Sequence, residues 1–464
     1  MGLQNTFKSR ILIPVSCTLL LFLISCNALQ KSSQSGVVPG DKLFRDLATT
    51  DTTSIADVPW RKIFTDPKLQ SLIEEAIANN IDLKVAMARI NKAGANLAQS
   101  KLAFFPSLSL NASESNQWKN SNSPEMSRNY QVYGNSGWEA DIWGKLRSTK
   151  RANLASFLES EAYKRAVQTQ LIANVSVSYY TLLAYDAQLQ ITEKTLEKRK
   201  VNVESMKVMK DNDLVTGADL VMSEANRYSA EVTIPDLKQN IYKTENSLSV
   251  LLGRNPGPIV RSVLATQEIS TEIKTGVPFQ ILANRPDVQE AELRYRYNYE
   301  MTNVARSSFY PSITISANAG ISANNFSFDP SSLFWNFIGG LAQPLFNNGA
   351  IRQRFRVAKA NKEESLLLFK QTLLSAGEEV VNAMKEYQTA SEKIAIRSKQ
   401  IRYLEKSVDY TMELLKYTTS TNYTDVLTSE VNLLSAQLNS VNDKLQQLHA
   451  IVSLYQSLGG GWKE

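Results

Sequence analysis

The stretch Phe104-Phe105-Pro106-Ser107-Leu108-Ser109-Leu110 returns 205 residues later as Phe309-Tyr310-Pro311-Ser312-Ile313-Thr314-Ile315. In each copy the proline ends what precedes it, because proline disfavours helix in the residue before it. Apolar and polar residues then alternate. Leu108, Leu110 and Ala112 alternate with Ser107, Ser109 and Asn111, and Ile313, Ile315 and Ala317 with Ser312, Thr314 and Ser316. Period two is the signature of a strand with one apolar face. A polar stretch follows (114–129 and 323–330), and then a second alternating run (132–142 and 333–345). Strand, polar turn and strand predict a long hairpin in each copy.

The match extends both ways. Upstream, Asn79-Asn80-Ile81-Asp82-Leu83 corresponds to Asn284-Arg285-Pro286-Asp287-Val288, and helical stretches are expected over about 67–103 and 286–307. Downstream, Gly144 maps to Gly349, Arg147 to Arg352 and Ala155 to Ala360. Further on the offset grows by one, with Ser223-Glu224 against Ser429-Glu430 and Leu252-Gly253 against Leu458-Gly459. The chain therefore reads as one unit written twice.

After Gly144 few helix breakers occur before Asn212, which predicts roughly 100 Å of helix at 1.5 Å per residue. Asp211-Asn212-Asp213 and Gly217 mark a tip, and residues 418–422 mark its counterpart. Beyond the first tip, Pro235 predicts a kink or break. Beyond the second, Leu427, Val431, Leu434, Leu438, Val441, Leu445, Leu448 and Val452 form a heptad seam, which predicts coiled-coil packing.

Composition narrows the class. Of 464 residues 51 are Lys or Arg and 45 Asp or Glu; 43% are hydrophobic, two are Cys and one is His. That excludes disorder, collagen and a disulfide scaffold. A lone His449 argues against a multi-His metal site and a His-centred triad. The modest +6 charge is spread along the chain, so no nucleic-acid partner is expected. No cofactor or metal is expected either. Lys8 and Arg10 precede an apolar run, 11–24, interrupted by Pro14 and too short for a membrane span. It ends in Leu23-Ile24-Ser25-Cys26, which resembles a bacterial lipobox. The resemblance implies cleavage before Cys26 and a covalent lipid on that cysteine. Cleavage would remove Cys17 and lower the net charge to +4.

Four amphipathic strands cannot close a barrel, which needs about eight. Open edges cannot sit in lipid. Either the strands form a small soluble sheet, or several chains donate four strands each. The export signal and long helices favour the second, and three chains would give twelve strands.

At this point the residues resemble the TolC-like outer-membrane efflux channel family, in its lipoprotein branch. The marks are Trp60 with Phe64 and Asp66, Asn80-x-Asp82-Leu83, Phe105-Pro106-Ser107, the run Trp138–Arg147, Arg285-Pro286-Asp287, Gln343-Pro344-Leu345-Phe346 and the ending Leu458-Gly459-Gly460-Gly461-Trp462. The resemblance spans nearly the whole mature chain. It implies an α+β membrane protein: a homotrimer with a twelve-stranded outer-membrane β-barrel and a long α-helical coiled-coil barrel in the periplasm. It implies passive conduction of substrates from an inner-membrane pump, most commonly a resistance-nodulation-division (RND) transporter, through a periplasmic adaptor. The domain layout expected is a signal (1–25), a lipid-anchored extended segment (26–66), a first repeat (67–253), an equatorial connection (254–283) and a second repeat (284–464).

Within that frame the candidate periplasmic gate is Tyr417, Thr419, Thr421 and Asn422. The family often carries an acid and a glycine there, whereas this tip is rich in hydroxyls and presents a weaker field than a ring of carboxylates. Asp211, Asp213 and Gly217 are the candidate adaptor-contact tip. Glu139, Asp141, Gly144 and Arg147 form the family's strand-to-helix motif. The two acids there have the chemistry of an acid/base pair, but alternation with Trp138, Ala140 and Ile142 reads instead as acids facing a polar barrel interior. Trp138, Trp143 and Trp335 suit an interfacial aromatic belt or ordinary packing. His449, beside the seam, reads as a helix-surface residue. Two other functions compete with an efflux duct: the channel of type I protein secretion, and a non-conducting coiled-coil lipoprotein scaffold. A scaffold has no need of four amphipathic strands, and no catalytic constellation supports an enzyme.

Overall fold

The computed structural model describes residues 55, 58–118, 126–268, 284–324, 329–417 and 423–462. A short α1 (Trp60–Ile63) leads into α2 (Pro67–Asn79) and α3 (Ile81–Leu102), and the first hairpin is β1 (Ser107–Trp118) and β2 (Met126–Glu139). Then come α4 (Lys145–Asp211), α5 (Gly217–Glu231) and α6 (Thr233–Leu251). The second copy is α7 (Pro286–Ser307), β3 (Ser312–Ala323), β4 (Leu333–Ala342), α8 (Ala350–Tyr417) and α9 (Tyr423–Ser457).

The helical stretch expected over 67–103 consists of two helices. Asp66 caps α2 by accepting the Lys68 N–H at 2.9 Å, with Pro67 preset for the first turn. Asn80 interrupts. Its extended backbone ends α2, its Oδ1 accepts the Leu83 N–H at 3.1 Å to start α3, and its Nδ2 donates to Leu251 O at 2.9 Å. The Asn80-x-Asp82-Leu83 mark is thus a helix cap tied to the end of α6. The break predicted near Pro235 falls at Val232, just ahead of the proline.

The four strands form one antiparallel sheet in chain order, β1-β2-β3-β4. Both hairpins share one register: Ser107 stands opposite Gly137, and their repeat counterparts Ser312 and Ala342 stand opposite each other in turn. The copies join where Tyr130 faces Ala323 and Glu139 faces Thr314. The strands reach further into the polar stretches than alternation of apolar residues foretold. Backbone pairing continues through Glu114–Trp118 and Met126–Asn129 because polar side chains do not prevent a ladder.

The core lies in the helical body. Phe64, Leu69, Ile73, Tyr179, Leu182, Leu183, Leu248, Leu448 and Leu454 are buried together, drawing α2, α4, α6 and α9 into one cluster. Near the sheet α4 buries small residues instead, Ala152, Ala155 and Ala162, so that α3 and α7 approach closely. The heptad seam of α9 holds in its C-terminal half, where Val441, Leu448 and Val452 are buried. Nearer the tip Val431 is exposed, and Val426, Ser429 and Ala436 are buried in its place. α9 packs on both α8 and α4, and two neighbours require two stripes. No described helix is long and apolar enough to cross a membrane.

Candidate functional site

Cross-strand partners share a face of a sheet, so the registers sort the residues. One face carries Leu108, Leu110, Val132, Trp138, Ile313, Ile315, Ile321, Leu333, Trp335, Phe337 and Leu341. Many of these are bare in the single chain, Leu108 at 82% and Trp335 at 79%. The other face carries Ser107, Asn111, Tyr133, Ser316 and a row running Ser109, Asn135, Asn318, Asn336 straight across all four strands. Glu139, opposite Thr314 and level with Gly340 one strand further, is the one ionisable carboxylate among the described residues of that polar face, and it pairs with Lys145 at 2.9 Å. With 10 to 14 residues, each strand exceeds or matches what a membrane crossing needs, about 9–11.

Below the sheet the chain turns into α4. Gly144 takes φ +75°, a left-handed conformation that favours glycine, and its counterpart Gly349 takes φ +77°. Asp141 caps the helix from outside. Its carboxylate accepts the N–H of Leu146 at 2.9 Å and of Arg147 at 3.0 Å, and Nε of Arg147 closes on it at 3.0 Å. Trp143 stacks on Tyr310 at 4.8 Å and donates its indole N–H to Pro311 O at 2.6 Å. So Glu139, Asp141, Gly144 and Arg147 do come together, but Asp141 is not an acid facing a barrel interior; only Glu139 lies on the polar face. Trp143 packs inward, whereas Trp335 and Trp138 lie on the apolar face. The indole N–H of Trp138 is held by Phe104 O at 2.9 Å.

At the far end α4 and α5 form a helical tip. Asp211 and Asp213 are exposed there, and Asp213 has φ +57°. Thr216 and Asp219 form a reciprocal capping box at the start of α5. A Cβ on Gly217 would meet nothing within 4 Å, so packing does not demand glycine there. Behind the tip Met206, Tyr423 and Val426 form a small buried cluster joining α4 to α9. Tyr417, last residue of α8, is exposed at 83%. Thr419, Thr421, Asn422 and Cys26 lie outside the described residues.

The model of the family described as outer membrane efflux protein matches residues 72–254 and 277–460. The chain belongs to the outer membrane efflux protein family. Membership makes it an outer-membrane efflux channel and not an enzyme. It is 29% identical over 422 residues to the probable efflux pump outer membrane protein TtgC of Pseudomonas putida, covering 88% of this chain and 86% of that one. It is 28% identical over 385 residues to the probable outer membrane lipoprotein SilC of Salmonella typhimurium, covering 81% and 82%. Its fold superposes on a crystal structure of CusC with a TM-score of 0.84 at 25% identity, covering 93% of this chain and 99% of that one.

Several buried polar residues organise this efflux channel; Asp66 and Arg285 stood among the marks of the resemblance, but the partners they find gave no signal in the sequence. Asp66, 8% exposed, accepts from the hydroxyl of Tyr179 at 2.6 Å, from Gln267 Nε2 at 2.9 Å and from Ser262 Oγ at 3.1 Å. Burial alone would raise its pKa, but these donors together with the Lys68 N–H hold it below the usual carboxylate range. Burial and the same bond push Tyr179 up to about 12. Buried Arg285 is clasped by Asp287 and Glu379, each at 2.7 Å, and donates to Ser457 O. Nearer the tip Arg199, buried, donates to Asn226 O at 2.6 Å, and Asn202 donates to Glu430 at 2.6 Å. His449 is not on a free helix surface: half-buried on α9, it faces α4, 3.3 Å from Thr181 Oγ1 and from Val177 O, and burial lowers its pKa. Among the described residues no group of three or more His, Cys, Asp or Glu is placed to hold a metal.

Proposed function

We propose that this chain is the exit duct of a tripartite efflux complex. Three copies join their four-stranded sheets into a twelve-stranded barrel in the outer membrane. Their helices continue the duct through the periplasm toward an adaptor protein and an inner-membrane RND transporter. The observation that carries this reading is the sheet: one face mainly apolar, with Glu114 and Arg128 on it only toward the hairpin-turn end, the other carrying a row of Ser and Asn beside Tyr133, Phe334 and Ile338, and both edges unpaired among the described residues. In lipid such a sheet is stable only when closed by further strands.

The remaining assignments extend that reading. Residues 1–25 are a cleaved signal and Cys26 takes the lipid anchor; the name of SilC as a lipoprotein supports this. The two repeats, 67–253 and 284–464, flank an equatorial connection at 254–283 and follow an anchored segment at 26–66. Asp211, Asp213 and Gly217 lie at the tip that meets the adaptor. Tyr417, Thr419, Thr421 and Asn422 narrow the periplasmic mouth. Transport is passive, so the chain needs no catalytic base.

The test is expression in a Gram-negative host lacking its own efflux channel, together with the native mass and planar-bilayer conductance of the purified protein. Restored export, a trimer and stepwise conductance are expected, with larger steps once Thr421→Ala loosens the mouth. A monomer that conducts in neither form and restores nothing would overturn the reading.

A further inference from the structure

We infer that the open edge of β4 takes β1 of a second copy of this chain in one particular register, with Ala342 opposite the partner's Asn111, Leu341 opposite the partner's Ala112 and Gly340 opposite the partner's Ser113. The inference rests on the closed barrel proposed above and specifies how it closes.

Three observations fix the register. The first is parity. Ala342 and Gly340 lie on the polar face, as do Asn111 and Ser113, while Leu341 and Ala112 lie on the apolar face. A slip of one residue would turn one chain's apolar face toward the other's polar face, which removes half of all registers. The second is the repeat. The two hairpins have the same internal register under the shift that relates the copies, so β4 is a copy of β2 and β1 a copy of β3. The β2–β3 seam is present within the chain, and moving each of its residues to its repeat counterpart writes the β4–β1 seam. Ala140 N donates to Ile313 O at 2.9 Å just past the end of β2. Its image is Leu345 N donating to the partner's Leu108 O. Leu345 is 97% exposed in the lone chain, as expected of a segment that a neighbouring copy covers.

The third is stagger. Straight across the strands from Ser107 the path runs to Gly137, Ser316 and Ile338. Ser316 is the image of Asn111, so one hairpin advances the path from the level of Ser107 to that of Asn111. In the inferred register Ile338 meets the partner's Ser115, an equal further step. The stagger is then uniform around the barrel, as an even strand tilt requires. The seams differ at one point. β2 runs so close to Gly320 that a Cβ there would collide with Val132 O, and the image of Gly320 is Ser115. The seam between copies therefore stands slightly wider at that level.

Paired cysteines test this in the full-length channel under mild oxidation, with each single variant as control. Ser113→Cys with Gly340→Cys reads the polar face, and Ala112→Cys with Leu341→Cys reads the apolar face. Directly opposite residues lie within disulfide reach, about 4.5–5.5 Å between Cα atoms, whereas positions two residues off lie about 7–8 Å apart. Both pairs are expected to cross-link into covalent trimers at least tenfold faster than Ser113→Cys with Ile338→Cys or Ser113→Cys with Ala342→Cys. Faster linkage of either shifted pair would overturn the register. A native trimer in which none of the pairs links would overturn edge-to-edge closure while leaving the trimer intact. A monomer would overturn both the register and the closed duct.

Discussion

The hydroxyl of Tyr179, midway along the longest helix of the first repeat, donates across 2.6 Å to Asp66, the residue that caps α2. Ser262 and Gln267 close on the same carboxylate, so three separated segments meet at one buried charge. Tyr179→Phe is expected to cost about 1–3 kcal/mol, since it removes one donor from a buried carboxylate. The bond also sets a pH response. The carboxyl of Asp66 is held below its ordinary value, so the unfolded chain takes up that proton first on acidification. Its contribution is present above about pH 4 and is lost as pH falls through the lowered value. Thermal unfolding followed from pH 7 to pH 3 should show a shallower loss in Asp66→Asn than in the parent chain.

Asp141 caps a 67-residue helix with its side chain. Asp141→Ala is expected to destabilise the strand-to-helix junction by about 1–2 kcal/mol. Arg147→Ala is expected to cost less than about 1 kcal/mol, because the guanidinium is more than half exposed. Trimer yield from membranes and the melting temperature would rank the two. Equal losses would contradict the assignment of Asp141 as a cap.

Gly320→Ala is expected to break the β2–β3 seam, because the new methyl would collide with Val132 O and with Cα and Cβ of Tyr133. Gly134→Ala, whose Cβ would find only Ala319 O at 3.8 Å, is expected to assemble normally. Protease resistance of the barrel in isolated outer membranes reads the contrast.

Asn135→Asp places one carboxylate per copy on the polar face, level with Ser109, Asn318 and Asn336. In a trimer three carboxylates at one level focus cations. The reversal potential in asymmetric KCl should therefore move toward the potassium value. Ser136→Asp, one residue along on the lipid side, should leave selectivity unchanged and reduce insertion.

Much of this molecule is set by short-range pattern. The repeat offset, the two-faced strands, the long helix after Gly144 and the tip at Asp211–Gly217 follow from period, from glycine and proline, and from caps, all of which act within a few residues. The tertiary structure decided what those rules cannot reach. It joined β2 to β3, which the whole of α4 and the helices after it separate in sequence, and it left β1 and β4 as edges. It carried the strands on through Glu114–Trp118, where no apolar alternation announces them. It turned Asp141 from an acid facing a barrel into a cap, set His449 of α9 against α4, and moved the tip-side seam of α9 from Val431 to Val426 and Ser429. Periodicity tells which face of an element is apolar. Where a polar side chain finds its donor, and which strand meets which edge, depends on elements brought together only by folding.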